Sequence, residues 1–518
     1  MKRTAVINVV GLTNSLIGQH TPHIAAFSKR GAMAKIVPAF PAVTCTAQST
    51  YLTGATPGQH GIVGNGWFNR ELAEVQFWKQ SNHLVHGEKI WDALRARVPG
   101  FTCAKLFWWF NMYSSADYSI TPRPMYPADG RKVFDIYSQP YSIREEIKRD
   151  LGEFPFHCFW GPAAGIDSPK GKADAASRWI AESAKWMENK FHPTLNLIYL
   201  PHLDYNLQRH GTYVGGAGVS PVLSGVPPES VEKATFSVGC ESIGKSTSHD
   251  EIRRDAEFDG RDARATNPAI HRDLREIDSI VGDLLDFFAK QSVQVILLSE
   301  YGITNVDTPI HLNREFRKHG WLAIKDELGL EILDCGASKV FAVADHQVAH
   351  VYLNDRSLEK EVRSLLEKTD GVASVLGAQE KISAGIDHPR AGDLIAVAKE
   401  NAWFTYYYWL DDRVAPDFAH TVDIHRKPGY DPVELFLDPA QPFIKAKLAW
   451  RLLQKKLGFR MLMDVVPLDA TLVKGSHGAR PKNPDDWPVF ISNRPELLQA
   501  PQMEATDVYH TLVRHVMR

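Results

Sequence analysis

The chain has 518 residues, 44% of them apolar and 23% charged. This is the balance of a soluble globular protein, long enough for several domains or one large α/β domain with insertions. Its formal net charge of −2 excludes a whole-chain field that attracts a nucleic-acid duplex or an anionic bilayer, and no stretch approaches the ~18–20 apolar residues of a membrane span.

Ala5–Val10 is a short apolar run ending at Gly11, which suits a buried parallel strand; broken by Asn8, it is too short for a signal-peptide core. Ile36–Phe40 leads through Pro41 into Thr44–Leu52, a helical segment that stops at Thr53-Gly54. Leu195–Leu200 and Gln294–Leu298 are two more buried strands. Polar residues follow all three strands: Thr13, His202 with Asp204, and Ser299 with Glu300. Ligands collect at the carboxyl ends of parallel strands, so these ends predict one shared site.

Residues 211–268 are rich in Gly, Ser, Pro and charge and predict a long, partly disordered surface insertion. Leu274–Phe288 keeps helical apolar spacing. Phe341–Leu353 and Ala391–Val397 read as strands and Leu358–Lys368 as a helix. The division expected is a core over 1–339, a smaller α/β subdomain over 340–435, and a segment, 436–518, returning to the core. Phe443–Leu457 is a basic amphipathic helix read as packed on one face, with a membrane-surface helix as the sharper alternative. Thr506–Val516 reads as a terminal helix, and the aromatic runs Phe107–Phe110 and Phe404–Trp409 as core.

Cys45, Cys103, Cys158, Cys240 and Cys335 are odd in number, widely spaced and without a CxxC pair, so neither a disulfide framework nor a cysteine zinc site is indicated. A reducing, cytoplasmic compartment is expected, with peripheral membrane contact left open.

Four segments carry chemistry. The first runs from Phe40-Pro41 through Thr44 to His60-Gly61-Ile62. A hydroxyl at a helix start sits among unpaired N–H groups at the positive end of the dipole, where an incoming anion and a developing alkoxide are both stabilised. Taken alone, the segment favours a plain N-cap. The second, Pro201-His202-Leu203-Asp204-Tyr205-Asn206-Leu207-Gln208, places Asp204 and Gln208 one helical turn apart. The third is Ser299-Glu300-Tyr301-Gly302 and the fourth Gly475-Ser476-His477-Gly478. Further polar clusters lie at Asp345–His350, at Asp387-His388 with Arg390, and at Asp423, His425 and Lys427.

Together the four segments resemble the type I phosphodiesterases and nucleotide pyrophosphatases of the alkaline phosphatase superfamily. The resemblance implies an α/β, alkaline-phosphatase-like three-layer fold with a mostly parallel central sheet. It implies Thr44 as nucleophile, Asp204, Gln208 and His477 around a first ion, and Glu300 at a second. The family's aspartate closing strand one, its histidine four residues after the Asp204 position and its histidine after the Glu300 position are here Val10, Gln208 and Tyr301. A neutral amide and a phenol are weak zinc ligands, so one or two divalent ions are expected rather than a full two-zinc site, a single one being held by Asp204, Gln208, Glu300 and His477, with Mn²⁺ or Mg²⁺ at least as suitable as Zn²⁺. Tyr301 is expected to assist catalysis. Gln48 and Asn65 are expected to hold the phosphoryl group, and Arg390, His425 and Lys427 to bind its charge. The resulting expectation is a metal-dependent hydrolase of phosphodiester or pyrophosphate bonds in a small phosphorylated substrate. The alternative is a family member that binds a phosphorylated ligand or partner protein without turnover.

Overall fold

The computed structural model describes residues 2–128, 131–168, 171–214 and 265–518. Most of the insertion expected over 211–268 lies outside the described residues.

Among the described residues, thirteen strands build the two larger sheets: β1 (Thr4–Val9), β2 (Ala32–Val37), β3 (Cys103–Leu106), β4 (Tyr118–Pro122), β5 (Ile136–Gln139), β6 (Leu195–Leu200), β7 (Gln294–Leu298), β8 (Val340–Asp345), β9 (Val348–Leu353), β10 (Val372–Leu376), β11 (Leu394–Ala398), β12 (Val489–Ser492) and β13 (Gln502–Glu504). Among the described residues the larger sheet runs β13-β2-β12-β7-β1-β6-β3-β4-β5. β7, β1, β6, β3 and β4 are parallel, with β12 and β5 entering antiparallel. β1, β6 and β7 are apolar runs buried along their whole length, the pattern of parallel strands covered on both faces. Register sets Asn8 beside Tyr199 and Leu298, and Val9 beside Leu200. The chain then leaves β6 into the His202–His210 helix and β7 into Ser299-Glu300, so the polar groups gather at the carboxyl ends of the central strands.

Two groups of helices pack on this sheet. His271–Lys290 contacts Pro22–Arg30 and Ala175–Phe191, while Asp507–Met517 contacts Thr44–Thr53 and Ile90–Arg97. The Thr44–Thr53 helix ends at Gly54, whose φ of 67° is the left-handed value a C-terminal cap requires. The expected α/β fold with a mostly parallel sheet is present.

The second sheet, β8-β9-β11-β10, is antiparallel throughout. Phe341–Leu353, read from sequence as one strand, is a hairpin that reverses at His346-Gln347, where His346 takes φ of 61°. Its apolar residues continue through both arms because both are buried, which hid the turn. β3, β4 and β5 gave no sequence signal, being only four or five residues long, and β3 contains the buried Lys105. The two aromatic runs are buried, as expected of core.

Candidate functional site

The four chemical segments meet. Thr44 opens its helix, with Val43 as the extended residue before it. Asp204 lies in the first turn of the His202–His210 helix. Glu300 and Tyr301 follow β7, and His477 follows the short strand Gly475–Ser476.

Their side chains form a hydrogen-bonded cluster. The Tyr301 phenol donates to Asp204 Oδ1 at 3.2 Å and lies 3.2 Å from Thr44 Oγ1. Because the phenol proton goes to the carboxylate, the Thr44 hydroxyl is the donor in the second contact. Gln208 donates its amide to Asp204 Oδ2 at 3.0 Å and accepts from the Tyr430 hydroxyl at 3.0 Å. Tyr301 stacks on His477 with ring centroids 3.6 Å apart, and His346 lies 3.7 Å from His477 and 3.6 Å from Tyr430. His477 also bonds through Nδ1 to the Ala42 carbonyl at 2.8 Å.

On the far side of Thr44, Glu300 is fully buried and accepts from the amides of Gln48 and Asn8. Asn8, which in the sequence only breaks the first apolar run, is a site residue. Its side chain spans the distance from β1 to Glu300, and the alternation of β1 carried no hint of that because both faces of the strand are buried.

Burial drives the electrostatics. Desolvation raises the Glu300 carboxyl to about 8 and the Asp204 carboxyl to about 7, each against the partial relief of its amide or phenol donors. Burial also pushes His477 and His346 well below the usual imidazole range, so both rings are neutral, and pushes the Tyr301 phenol up.

The remaining expected residues have other partners. Gln48 accepts the Trp109 N–H at 2.6 Å while donating to Glu300, so its amide is committed. Asn65 braces the nucleophile helix: its Oδ1 takes the Cys45 N–H at 3.0 Å, while its N–H and amide donate to Asp345 at 2.7 and 3.0 Å. The grouping of Arg390, His425 and Lys427 as one anion site requires correction. Lys427 is buried in ion pairs with Asp431 and Glu434 at 2.7 and 2.8 Å. Arg390 donates to the Gly61 and Leu84 carbonyls, and His425 bonds the Phe77 carbonyl. Strand-like spacing suggested one face, but no strand forms there: 421–431 is turn and bend.

The ligand set of Asp204, Gln208, Glu300 and His477 is also not gathered around one point. Tyr301 lies between Thr44 and Asp204, and Gln208 and His477 are held by other partners. Among the described residues, the grouping of three His, Cys, Asp or Glu ligand atoms mutually within 4.8 Å is His202, Asp273 and Glu276. Each of these already has donors or acceptors: Asn206 donates to both Asp273 oxygens, Arg272 donates to Glu276 at 2.7 Å, and His202 lies 3.0 Å from Glu276. Their effect is to tie the helix carrying Asp204 to His271–Lys290. The atoms left over for an ion are instead Glu300 Oε2 and Asn8 Oδ1. Both are buried acceptors with no hydrogen-bond partner in the structure, and they belong to side chains already bonded to each other. Such an oxygen set fits Mg²⁺ or Mn²⁺ better than Zn²⁺.

The family model of type I phosphodiesterase / nucleotide pyrophosphatase matches residues 4–431. The chain belongs to that family. Its relatives by structure agree. Phosphonoacetate hydrolase from Sinorhizobium meliloti 1021, in complex with phosphonoformate, superposes with a TM-score of 0.56 at 14% identity, covering 99% of this chain and 96% of that one. Murine ectonucleotide pyrophosphatase / phosphodiesterase 5 superposes with a TM-score of 0.52 at 14% identity, covering 100% of this chain and 95% of that one. No curated protein matches the chain. The alkaline-phosphatase-like fold is thereby established for this family member, and no helix among its described residues is long and apolar enough to cross a membrane.

Proposed function

We propose that this family member hydrolyses a phosphodiester or pyrophosphate bond of a small phosphorylated substrate, with Thr44 as the nucleophile. The observation that carries the reading is the relay Thr44–Tyr301–Asp204, in which a hydroxyl at a helix start donates through a phenol to a carboxylate whose pKa burial has brought to about 7. A base near neutrality, reached through one intermediate hydroxyl, is matched to drawing the proton from a threonine at ordinary pH.

In the reaction, Thr44 Oγ1 bonds to phosphorus as its proton passes toward Asp204 through Tyr301. The leaving oxygen departs with its electron pair and takes a proton. Water then cleaves the threonyl–phosphorus bond and restores the hydroxyl. The first turn of the Thr44–Thr53 helix directs its N–H dipoles at the phosphoryl oxygens. Asn65 keeps that turn in place through Cys45. Glu300 and Asn8 would hold a hard divalent cation, which when bound would polarise the phosphoryl group. A cytoplasmic site of action accords with Cys45, Cys103, Cys158 and Cys335, which are all buried free thiols.

A second reading, ligand binding without turnover, is favoured by the replaced ligand positions: Gln208 is committed to Asp204 and Tyr430, and the Tyr301 phenol stands between Thr44 and Asp204. The two separate in one assay. A chromogenic phosphodiester is incubated with Mg²⁺, Mn²⁺, Zn²⁺ or EDTA, using wild type and Thr44→Ala. Turnover that needs a cation and disappears in Thr44→Ala supports hydrolysis. Cation-independent binding with no turnover supports the second reading.

A further inference from the structure

The helix Ile444–Lys456 keeps an apolar stripe on its solvent side. Its inward side is mixed: Ile444 and Leu448 are half-buried there, Lys447 donates to the Asp464 carbonyl at 2.8 Å and to Gln441 at 2.9 Å, and Arg451 donates to the Asp464 carboxylate at 3.0 Å and to Gln454 at 3.1 Å. Its apolar stripe, Ala446, Ala449, Trp450, Leu453 and Leu457, keeps the i, i+3, i+4, i+7, i+11 spacing of one helix face and is exposed. Trp450 is 56% exposed and Leu457 63%. The helix has no buried residue. Here the ion pairs to Asp464 hold the apolar face outward.

The face continues beyond the helix. Phe443 precedes it and Phe459 follows it, both exposed, and Lys455 lies over the ring of the exposed Phe134 at 5.6 Å. Across 439–463 the chain carries Lys445, Lys447, Arg451, Lys455, Lys456 and Arg460 and no acidic residue. Lys445 and Lys456 are exposed along one flank of the apolar stripe. The overall charge of −2 makes this local positive strip a departure from the rest of the molecule.

We infer that this face docks on an anionic lipid bilayer. Trp, Phe and Leu side chains enter the headgroup–acyl boundary while the flanking lysines meet anionic headgroups, the recognition chemistry of an interfacial helix that lies on a membrane without spanning it. The charge decides among occupants: a second copy would set two like-charged strips against each other, whereas an anionic surface complements one.

The test is vesicle co-sedimentation of the full chain. Phosphatidylcholine vesicles are compared with vesicles of phosphatidylcholine and phosphatidylglycerol, at low and high salt. The variants are Trp450→Glu/Leu453→Glu and Lys445→Glu/Lys456→Glu, whose side chains face solvent, with circular dichroism melting to verify that the fold is kept. Wild type is expected to bind the anionic vesicles, to release in high salt, and to lose at least about tenfold in affinity in either variant, since each surface lysine contributes roughly fivefold. Absence of wild-type binding overturns the inference. So does equal binding to both lipids, equal binding by the variants, or a dimer in sedimentation velocity that Trp450→Glu/Leu453→Glu dissociates.

Discussion

The Tyr301 phenol bridges the Thr44 hydroxyl and the Asp204 carboxylate, 3.2 Å from each. If the bridge carries the nucleophile's proton, Tyr301→Phe keeps the ring stacked on His477 but lowers kcat on a chromogenic phosphodiester about 10²-fold or more, with KM little changed. Loss of one buried hydrogen-bonding group costs about 1–3 kcal/mol of stability, readable by urea unfolding. An unchanged kcat removes the relay from the account.

Glu300 and Asn8 are expected to set cation affinity. Glu300→Gln removes the charge while keeping the shape, and should weaken Mn²⁺ binding in calorimetry by ten- to a hundredfold. Because the Glu300 carboxyl is held up at about 8 and its protonated form cannot ligate, wild-type affinity should rise as pH goes from about 6 to 8, with proton release. The Glu300→Gln variant should show a smaller rise.

Lys427 tests the corrected assignment of the anion-binding residues. Lys427→Met leaves Asp431 and Glu434 buried without their cation, which costs about 3–5 kcal/mol in urea unfolding. KM for a phosphodiester should not move in the fraction that remains folded. A raised KM with unchanged stability would return Lys427 to the substrate.

Lys105 gives a pH signature of its own. Burial lowers its amine from 10.5 to about 7, and it donates to the Trp109 and Phe110 carbonyls at 2.7 and 2.8 Å. The folded pKa is depressed, so the unfolded chain binds the proton more readily. The stability tied to the neutral amine is therefore present above the unfolded pKa and is lost as pH falls toward about 7. Between about pH 7 and 9, wild-type stability should rise relative to Lys105→Met when both are followed by urea unfolding.

Much of the frame was legible because its signals are local. β6 and β7 are continuous apolar runs whose observed limits match the sequence reading, and the Thr44 helix announces its end at Thr53-Gly54. The convergence of Thr44, Asp204, Glu300 and His477 at one cluster follows from strand ends that carry polar residues. What stayed hidden depends on which atoms face which in three dimensions. Asn8 reads as a break in a strand until the register places it beside Glu300. Lys427 reads as an accessible cation until folding buries it between two carboxylates. Tyr301 reads as a lost ligand until folding sets its phenol between nucleophile and carboxylate. The helix at Ile444–Lys456 carries apolar residues on both sides, and sequence alone cannot say which side faces inward.

The central claim is that Thr44 attacks phosphorus, and trapping its adduct tests that most directly. The protein is mixed with a phosphodiester and Mn²⁺, quenched in acid within one turnover, digested, and the peptide carrying Thr44 is read by tandem mass spectrometry. The account predicts a phosphorus adduct on Thr44 that disappears in Thr44→Ala together with turnover. Turnover in Thr44→Ala at the wild-type rate, with no adduct on the wild-type peptide, would contradict it.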